Sequence, residues 1–474
     1  MIAPNTAVPF FRTAFPWQPL VVAFTLCFSV VCSVVAGEPC AIAIVEQGSG
    51  WPVPLVELRT THLSRWVTDN AGMIAFDAPE LMGRDVWFDV RSDGYEVAKD
   101  GFGMQGVRLR PTNGGSLQIE VRRTSLAKCL GRLTGAGQFA ESQKLGRRLD
   151  WKESDVLGCD SVQVATYQGK LFWAWGDTTL ARYPLGIFDT LGATTSVALW
   201  THLVPPLTIV FDHFRDGESK LRGVARLPGG GPTWISGCVS LSDQQKRSRL
   251  VAAYMKIKPP LESYETGLCV WNDATASFEK LKALWSLEKG NGVKPLLPEG
   301  HASFWNDAEG VEWVYFGNPL PMLRCRASFE AWQDSSAWQL LKPQESLVSA
   351  ADGKAIKPHS GSIAWNAYRR KWVTVFMQSF GHPSAFGELW YAEAPTPEGP
   401  WGVAVKVLSH AHYTFYNPRL HPELTPKESS VLLFEGTYTQ QFSDVKEPTP
   451  RYDYNQILYR LDLEDPALKP AGSP

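Results

Sequence analysis

Two aspartates, Asp160 and Asp177, lie at the two ends of a stretch whose pattern predicts a β-hairpin. Gln168-Gly169 is a turn dipeptide, and the segments on either side of it are rich in apolar and aromatic residues. The hairpin would place Asp160 and Asp177 on neighbouring strands. Paired carboxylates beside aromatic residues suit glycoside cleavage, because one group protonates the leaving oxygen while the other acts as base or nucleophile. Aspartate is also common where strands end, so two structural turn residues are the alternative.

The composition of the chain argues against some classes of partner and favours others. The 474 residues include 46 lysines and arginines against 48 acids, which gives a formal charge of −2, and no run of basic residues stands out. We therefore expect no nucleic-acid partner, because such a partner requires a basic surface. The 19 tryptophans are spread along the chain, which favours many short strands and suits stacking against sugar rings.

The first 36 residues have the features of a secretory signal. Arg12 is their only charged residue, and an apolar run over residues 20–36 ends in Val34-Val35-Ala36-Gly37. We predict cleavage after Ala36 and a secreted or periplasmic, cell-envelope location. An uncleaved membrane anchor is the alternative, since the run approaches the length that spans a bilayer. No membrane contact is expected once the signal is removed.

Export changes how the cysteines are interpreted. Cys27 and Cys32 lie in the signal, and the six others are Cys40, Cys129, Cys159, Cys238, Cys269 and Cys325. None of these pairs has the spacing of a zinc or redox site, so no metal or other cofactor is predicted. Six cysteines in an oxidising compartment allow disulfides, and buried free thiols are the alternative.

Residues 38–123 predict a small β-sandwich, because short alternating segments are separated by frequent turn signals. The order of elements resembles the carboxypeptidase regulatory-like sandwich, from Pro52-Val53-Pro54 through Thr68-Asp69-Asn70-Ala71-Gly72 to Asp93-Gly94-Tyr95. This resemblance implies an accessory module without catalytic residues. Residues 124–150 are rich in glycine and charge and are interpreted as a connector, so we expect the two domains to be separable.

Residues 151–466 predict a five-bladed β-propeller. A strand that starts with small or polar residues repeatedly precedes a bulkier apolar strand, with first strands at about residues 160, 234, 301, 361 and 417. The last strand, residues 456–461, is expected to close the ring with material near the connector. Residues 467–474 are expected to form a flexible tail. The predicted fold class is therefore all-β, a small N-terminal β-sandwich followed by a five-bladed β-propeller, with a long sandwich or β-helix as the alternative.

The second domain resembles the endo-D-arabinanase-type propeller family over about 300 residues. Four segments carry the likeness: Leu157-Gly158-Cys159-Asp160, Trp175-Gly176-Asp177-Thr178, Tyr416-Asn417-Pro418-Arg419-Leu420 and Phe434-Glu435-Gly436-Thr437-Tyr438-Thr439. The resemblance implies that Asp160 and Asp177 match the two proposed catalytic acids and that the substrate contains furanosides. Two departures are Cys159, where the family usually has a small polar residue, and a long loop over residues 181–214.

Three further residues are candidates near the propeller axis. Glu435 could be a third carboxylate that tunes the pKa of the other two, or it could form a salt bridge to Arg419. His301 and His359 lie at the starts of two predicted inner strands, where they could bind a sugar hydroxyl or an ion in the axial channel. A structural imidazole is the alternative for both histidines.

Five further candidates for substrate contact come from other segments. Tyr416 and Asn417 could touch the sugar, although asparagine before proline is also an ordinary turn. Trp175 could be a stacking platform, as could Trp200 and Trp305, with core packing as the alternative for each.

These observations predict an exported glycoside hydrolase that acts on furanoside-containing polysaccharide through Asp160 and Asp177. The partner would be a polysaccharide or oligosaccharide, with no cofactor apart from a possible axial ion. A non-catalytic carbohydrate-binding propeller and an envelope scaffold protein are the alternatives. The sequence predicts no oligomeric state.

Overall fold

The computed structural model of the protein describes residues 37–196, 203–290 and 292–472. The predicted signal and Trp200 lie outside the described residues. The described residues from Glu38 onward form one compact unit, which holds every element named below. Among the described residues, no helix has the length and apolar character needed to cross a membrane.

Eight strands build the N-terminal sandwich as two four-stranded sheets. They are β1 Cys40–Glu46, β2 Glu57–Thr60, β3 Arg65–Val67, β4 Met73–Phe76, β5 Val86–Arg91, β6 Tyr95–Glu96, β7 Gly106–Leu109 and β8 Ser116–Arg123. One sheet has the order β4-β1-β8-β6 and the other the order β3-β2-β5-β7. Alternate residues such as Leu58 and Phe88 face the core, while Glu57 and Arg59 face outward, as a half-buried sheet requires. The predicted sandwich is confirmed.

The remaining strands form the second domain. They are β9 Lys128–Arg132, β10 Val156–Cys159, β11 Gln163–Tyr167, β12 Lys170–Trp175, β13 Thr178–Leu180, β14 Tyr183–Ile187, β15 Leu191–Ser196, β16 Asp212–His213, β17 Thr233–Ser242, β18 Ser248–Lys258, β19 Glu262–Asn272, β20 Ser277–Ser286, β21 Ser303–Asn306, β22 Glu312–Gly317, β23 Pro321–Arg326, β24 Gln339–Leu340, β25 Leu347–Val348, β26 Ala355–Ile356, β27 Pro358–Asn366, β28 Lys371–Gln378, β29 Glu388–Ala394, β30 Val405–Ser409, β31 Thr414–Leu420, β32 Val431–Thr439 and β33 Asn455–Asp462. Two short helices, α1 Ala140–Lys144 and α2 Phe329–Gln333, and single turns of 3-10 helix at Ser335–Ala337 and Pro422–Leu424 join them, while the 3-10 turn Pro79–Leu81 lies between β4 and β5 of the sandwich.

Five antiparallel four-stranded sheets form the blades of a propeller. Their orders are β11-β12-β15-β16, β17-β18-β19-β20, β21-β22-β23-β24, β27-β28-β29-β30 and β31-β32-β33-β9, and we number the blades 1 to 5 in that order. The first strand of each sheet lies within a few residues of the position that the sequence predicts. The predicted five-bladed propeller is therefore confirmed.

Blade 5 closes the ring by combining both ends of the domain. Strand β33 pairs with β9, so that Ile457 lies opposite Arg132. The prediction that the last strand pairs with material near the connector is confirmed. The segment 124–150 thus contains a propeller strand as well as helix α1.

The sandwich and the propeller share one apolar core. Residues of both, such as Ile44 and Phe434, belong to the same buried cluster. Asn70 lies in the turn of the sandwich, and its amide both donates to the Arg132 carbonyl and accepts from the Arg132 N–H, each at 2.9 Å. Tyr452 donates its hydroxyl to the Thr68 carbonyl at 2.9 Å. These contacts argue against the expectation that the two domains are separable, because a propeller without the sandwich would expose apolar surface that is now buried.

Two further expectations differ from the structure. A 3-10 helix over Pro466–Gly472 buries Leu468 and Ala471 in the shared core, where a flexible tail was expected. The apolar residues of this segment explain the difference, because they pack against the shared core, and the sequence alone does not show that this core lies within their reach. The six cysteines from Cys40 to Cys325 are buried free thiols and form no disulfide.

Candidate active site

Asp160 and Asp177 lie side by side where the chain passes between two sheets. Strands β11 and β12 form the predicted hairpin around Gln168-Gly169, and β10 pairs with β13 in a separate three-stranded sheet of order β10-β13-β14. The Gly176 N–H donates to the Asp160 carbonyl at 2.8 Å, and the Asp160 N–H donates to the Asp177 carbonyl at 3.3 Å. Asp160 and Asp177 therefore lie on neighbouring chain segments just after strands β10 and β12, and not on the hairpin strands where they were expected.

A pocket of about 300 Å³, here called the axial pocket, lies among the inner strands of the propeller. Its lining includes Asp160, Ser161, Gln163 and Asp177 around blade 1, Trp234 and Ser236 of blade 2, Glu299, His301 and Asn318 of the blade 3 region, and Asn417 of blade 5. Three of these side chains are carboxylates. No lysine or arginine is present among the described residues that line the pocket.

The Asp160 carboxylate is held by two tyrosines. The Tyr416 hydroxyl donates to it at 2.6 Å, and the Tyr454 hydroxyl also donates to it. Burial raises the pKa of Asp160, and the two tyrosine hydrogen bonds oppose that rise by stabilising the anion. The second carboxylate oxygen lies over Gly176, in the space that a side chain at that position would fill.

Asp177 is the carboxyl whose environment best suits a proton donor. Its oxygen accepts a hydrogen bond from the Trp234 indole at 3.2 Å. Burial and the nearby charge of Asp160 raise the pKa of Asp177 to about 6, while the indole hydrogen bond lowers it. Asp177 therefore keeps its proton at mildly acidic pH and can release it near neutrality.

Glu299 is a functional candidate that the sequence reasoning missed. It lies directly before Gly300 and His301, at the entry to blade 3, and it lines the axial pocket. Burial raises the pKa of Glu299, and the charge of Lys294 partly opposes this effect. Because Glu299 precedes blade 3, its carboxylate enters the pocket from a different blade than the two aspartates do.

Backbone strain is concentrated on one side of the pocket. Ser161 and Asn417 both have left-handed backbone angles, with φ of 51° and 50°. The Asn417 amide donates to the Ser161 hydroxyl at 2.7 Å, and a bulge in β31 between Tyr416 and Arg419 allows this approach. Such strain is retained where the surrounding structure enforces it, which is common at functional sites.

Neutral hydrogen-bonding groups complete the pocket. Burial and the charge of Arg419 lower the pKa of His301 to about 3, so its imidazole is uncharged. Gln163 and Asn318 use their amide oxygens to accept from Cys238 N–H at 3.2 Å and Gly361 N–H at 2.8 Å. Their amide NH₂ groups have no partner among the described residues, so both remain available to a ligand hydroxyl.

The structure corrects the expected role of Trp175. Its side chain is only 1% exposed and stacks on Trp173, with ring centroids 5.9 Å apart. Trp175 is therefore core that forms the wall of the pocket and cannot stack on a sugar. Trp305 is partly buried and packs at the edge of a core cluster, against Trp365 with ring centroids 5.0 Å apart. Trp234 is the half-buried indole at the pocket, and the sequence reasoning did not single it out.

Glu435 and His359 lie outside the axial pocket. Glu435 is fully buried and accepts from the His421 imidazole at 2.8 Å, which is neither the expected axial position nor the expected salt bridge to Arg419. Arg419 instead pairs with Glu423 at 2.5 Å. Burial would lower the pKa of His421, but the two glutamates raise it overall. The exposed His359 packs its ring against Phe386.

The described residues contain no group of three or more His, Cys, Asp or Glu side chains that could hold a metal ion. The axial pocket is thus a site of carboxylates, serine and threonine hydroxyls, amides and one neutral imidazole. Such a set can bind a polyhydroxylated neutral ligand and exchange protons with it.

No protein-family model matches the sequence, and no curated protein matches it. Several solved structures are similar at low identity. An exo-β-1,3-galactanase from Phanerochaete chrysosporium with galactose is 11% identical with a TM-score of 0.37, and the match covers 65% of this chain and 61% of the galactanase. An exo-1,5-α-L-arabinanase from a bovine ruminal metagenomic library is 9% identical with a TM-score of 0.36, over 65% of this chain and 93% of that enzyme.

A native arabinanase from Bacillus subtilis is 8% identical with a TM-score of 0.35, over 64% of this chain and 96% of that enzyme. This chain thus spans less than two thirds of the galactanase. Similarity at this level says nothing about the chemistry of the axial pocket, which its own contacts must define.

Proposed function

We propose that the protein is an exported glycoside hydrolase that cleaves furanoside-containing polysaccharide in the axial pocket. One observation carries this proposal: Asp160, Asp177 and Glu299 line a single pocket, and burial raises the pKa of all three. Glycoside hydrolysis requires one protonated and one ionised carboxyl group at the scissile bond. When carboxyl groups with raised pKa values share a pocket, one can stay protonated while another is ionised near neutral pH.

The environments of the three carboxyls suggest a role for each. We assign Asp160 as the ionised carboxyl, because two tyrosine hydroxyls stabilise its anion and its charge raises the pKa of Asp177. Asp177 would protonate the leaving oxygen. Glu299, entering from another blade, would accept the proton of the attacking water.

The charges of the lining suggest a neutral sugar as the substrate. The three carboxylates repel a ligand that carries its own carboxylate, because no lysine or arginine stands beside them among the described lining residues. The free amide groups of Gln163 and Asn318 match sugar hydroxyls instead. The volume of about 300 Å³ lies at the small end for a ligand pocket and suits a short piece of a glycan.

The test is a panel of arabinans, galactans and fructans, with polygalacturonate as the acidic comparison. We expect the wild-type protein to release new reducing ends from at least one neutral polymer and none from polygalacturonate. Binding of a neutral polymer without any cleavage would contradict the hydrolase. It would favour a carbohydrate-binding propeller, in which the two tyrosines simply hold Asp160 in place.

Export belongs to the same proposal and rests on the apolar run over residues 20–36. We expect the mature protein to begin at or near Gly37 in a soluble secreted or periplasmic fraction. N-terminal sequencing that returns Met1 from a membrane fraction would contradict export with cleavage.

A further inference from the structure

A second cavity, here called the junction pocket, lies between the sandwich and the propeller. Its volume is about 470 Å³. One wall comes from strands β2, β3 and β5 of the sandwich, and the other comes from the propeller around Tyr413, Tyr438 and Thr449. The axial pocket shares no lining residue with it.

Strand register brings three arginines to the sandwich wall. Arg59 on β2 lies opposite Arg65 on β3, and Glu57 on β2 lies opposite Arg91 on β5. Residues two apart on a strand share a face, so Glu57 and Arg59 point to the same side. Like charges directly opposite each other on a sheet are unfavourable unless an anion lies between them. This face therefore favours negative charge beside the arginines.

Protein carboxylates satisfy only part of that requirement. Glu57 pairs with Arg59 at 3.0 Å and lies 3.7 Å from Arg65. Glu447 lies 3.8 Å from Arg65, but its side chain is 77% exposed. Arg91 is exposed and has no hydrogen-bond or ion-pair partner among the described residues. An unpaired guanidinium at the edge of a cavity is a binding group for a carboxylate.

The propeller wall is rigid. Tyr413 stacks on Tyr438 with ring centroids 4.1 Å apart, and its hydroxyl donates to Asp453 at 2.6 Å. The Thr449 N–H donates to the same Tyr413 hydroxyl at 3.1 Å. Both rings are buried, so they present polar edges to the cavity and no open face. The cavity is therefore preformed and needs little ordering when it binds a ligand.

Asp93 lies in the Ser92-Asp93-Gly94-Tyr95 turn of the sandwich and lines the cavity. Burial raises the pKa of Asp93 to about 7, against a lowering by the Tyr438 hydroxyl. Asp93 therefore carries only part of a negative charge near neutral pH, so it adds little to the negative charge that Glu57 and Glu447 already bring to this lining. Gly94 has φ of +82° and packs against Ser125, which fixes the position of this turn.

We propose that the junction pocket binds a carboxylate-bearing sugar, that is, a uronate residue of an acidic glycan. The arginine wall supplies the site for the carboxylate. The cavity is larger than a carboxylate alone requires, and Ser92, Gln105 and Thr449 provide neutral polar groups that match hydroxyls. This site does not depend on hydrolysis in the axial pocket. A glycan with both neutral and acidic sugars could engage both pockets and gain affinity through linkage.

Calorimetry on the full mature chain with galacturonate trimer as the ligand tests this proposal. We expect saturable binding of the trimer and at least tenfold weaker binding by Arg91→Gln. Arg108→Gln is the matched control, because Arg108 is an exposed arginine on β7 of the same sheet that does not line the cavity. Thermal melts of both variants show whether each is folded.

Acetate and a neutral galactose trimer complete the experiment. Equal affinity for acetate and the galacturonate trimer would overturn the proposal, because it would show a simple anion site. Displacement of the bound galacturonate trimer by a tenfold excess of the neutral trimer would also overturn it, since the acidic sugar would then occupy the axial pocket. The proposal would also be overturned if the galacturonate trimer did not bind, or if Arg91→Gln and Arg108→Gln weakened its binding equally.

Discussion

The axial pocket and the junction pocket both contain an aspartate whose pKa burial raises, yet their chemistry differs. Burial raises the pKa of Asp177 to about 6 and that of Asp93 to about 7. Asp177 shares its pocket with two further carboxyls and no lysine or arginine among the described lining residues, while Asp93 lines a cavity that three arginines and two glutamates also line. A raised pKa therefore does not identify a catalytic acid by itself. The neighbouring charges decide whether the group can donate a proton to a neutral substrate or helps to bind an anion.

The largest effect is expected from a fragment that contains residues 124–474 and lacks the sandwich. This fragment loses the junction pocket and exposes the core that Ile44 shares with Phe434. It also loses the paired hydrogen bonds between Asn70 and Arg132. We expect aggregation or loss of cooperative unfolding, measured by size-exclusion chromatography and circular dichroism beside residues 37–474. A soluble fragment with a sharp melt would show that the two domains are separable.

A smaller effect is expected from Gly176→Ala in the axial pocket. The added methyl group would meet the Asp160 carboxylate, whereas the backbone at this position suits any residue. We expect turnover to fall by about 10- to 100-fold, since a displaced catalytic group loses its alignment. Gly217→Ala is the control, because a side chain there meets no atom within 4 Å. Equal turnover in both variants would show that the position of Asp160 does not matter.

The pH dependence of turnover follows from Asp177. A general acid must be protonated to act, and the pKa of Asp177 is raised to about 6. We expect kcat/KM to fall about tenfold per pH unit above that value. The same profile in Asp177→Glu should keep its shape with a shifted midpoint. A rate that stays constant from pH 5 to pH 8 would remove Asp177 as the proton donor.

The smallest effect concerns stability. The pKa of Asp177 is higher in the folded protein than its ordinary value of 3.8, so ionisation as the pH rises through about 6 destabilises the fold. Asp177→Asn removes this cost and keeps an acceptor for the Trp234 indole. Because solvent screens the half-exposed group, we expect a gain of only about 1 kcal/mol in unfolding free energy at pH 7. Urea titrations should show no gain at pH 3.5, and a loss at pH 7 would contradict this account.

The sequence predicted features that depend on local pattern. Alternation and turn dipeptides were enough to predict the hairpin that joins Asp160 to Asp177, and the repeated strand theme predicted five blades. Trp175 shows the limit of such patterns. An aromatic residue near a carboxylate has the same sequence signal whether it faces a pocket or the core, and only the packing on Trp173 decides between them.

Other features depend on contacts between distant segments, which a single sequence does not show. Glu299 lies directly before Gly300 and His301, and the sequence analysis did single out His301. Nothing in the sequence, however, indicated that Glu299 would share a pocket with the aspartates of blade 1. Glu435 was expected at the axis, but it is bound by His421, which directly follows the neighbouring strand β31. The arginines of the junction pocket come from three strands that only the sandwich sheet brings together.

The central claim is that carboxyl groups of the axial pocket perform hydrolysis, and a paired substitution tests it most directly. Asp177 and Asp307 are both partly buried aspartates that accept a tryptophan indole, from Trp234 at 3.2 Å and from Trp313 at 2.7 Å. Only Asp177 lines the axial pocket. Asp177→Asn and Asp307→Asn therefore both replace a carboxyl group by an amide whose oxygen can still accept the indole N–H.

The measurement is kcat of both variants and of the wild type on the neutral polymer that the wild type cleaves fastest. We predict that Asp177→Asn lowers kcat by about a thousandfold or more, because the lost proton transfer acts in the transition state. Asp307→Asn should stay within about twofold of the wild type, and both variants should show cooperative thermal unfolding. Equal kcat values for the folded Asp177→Asn variant and the wild type would contradict the claim.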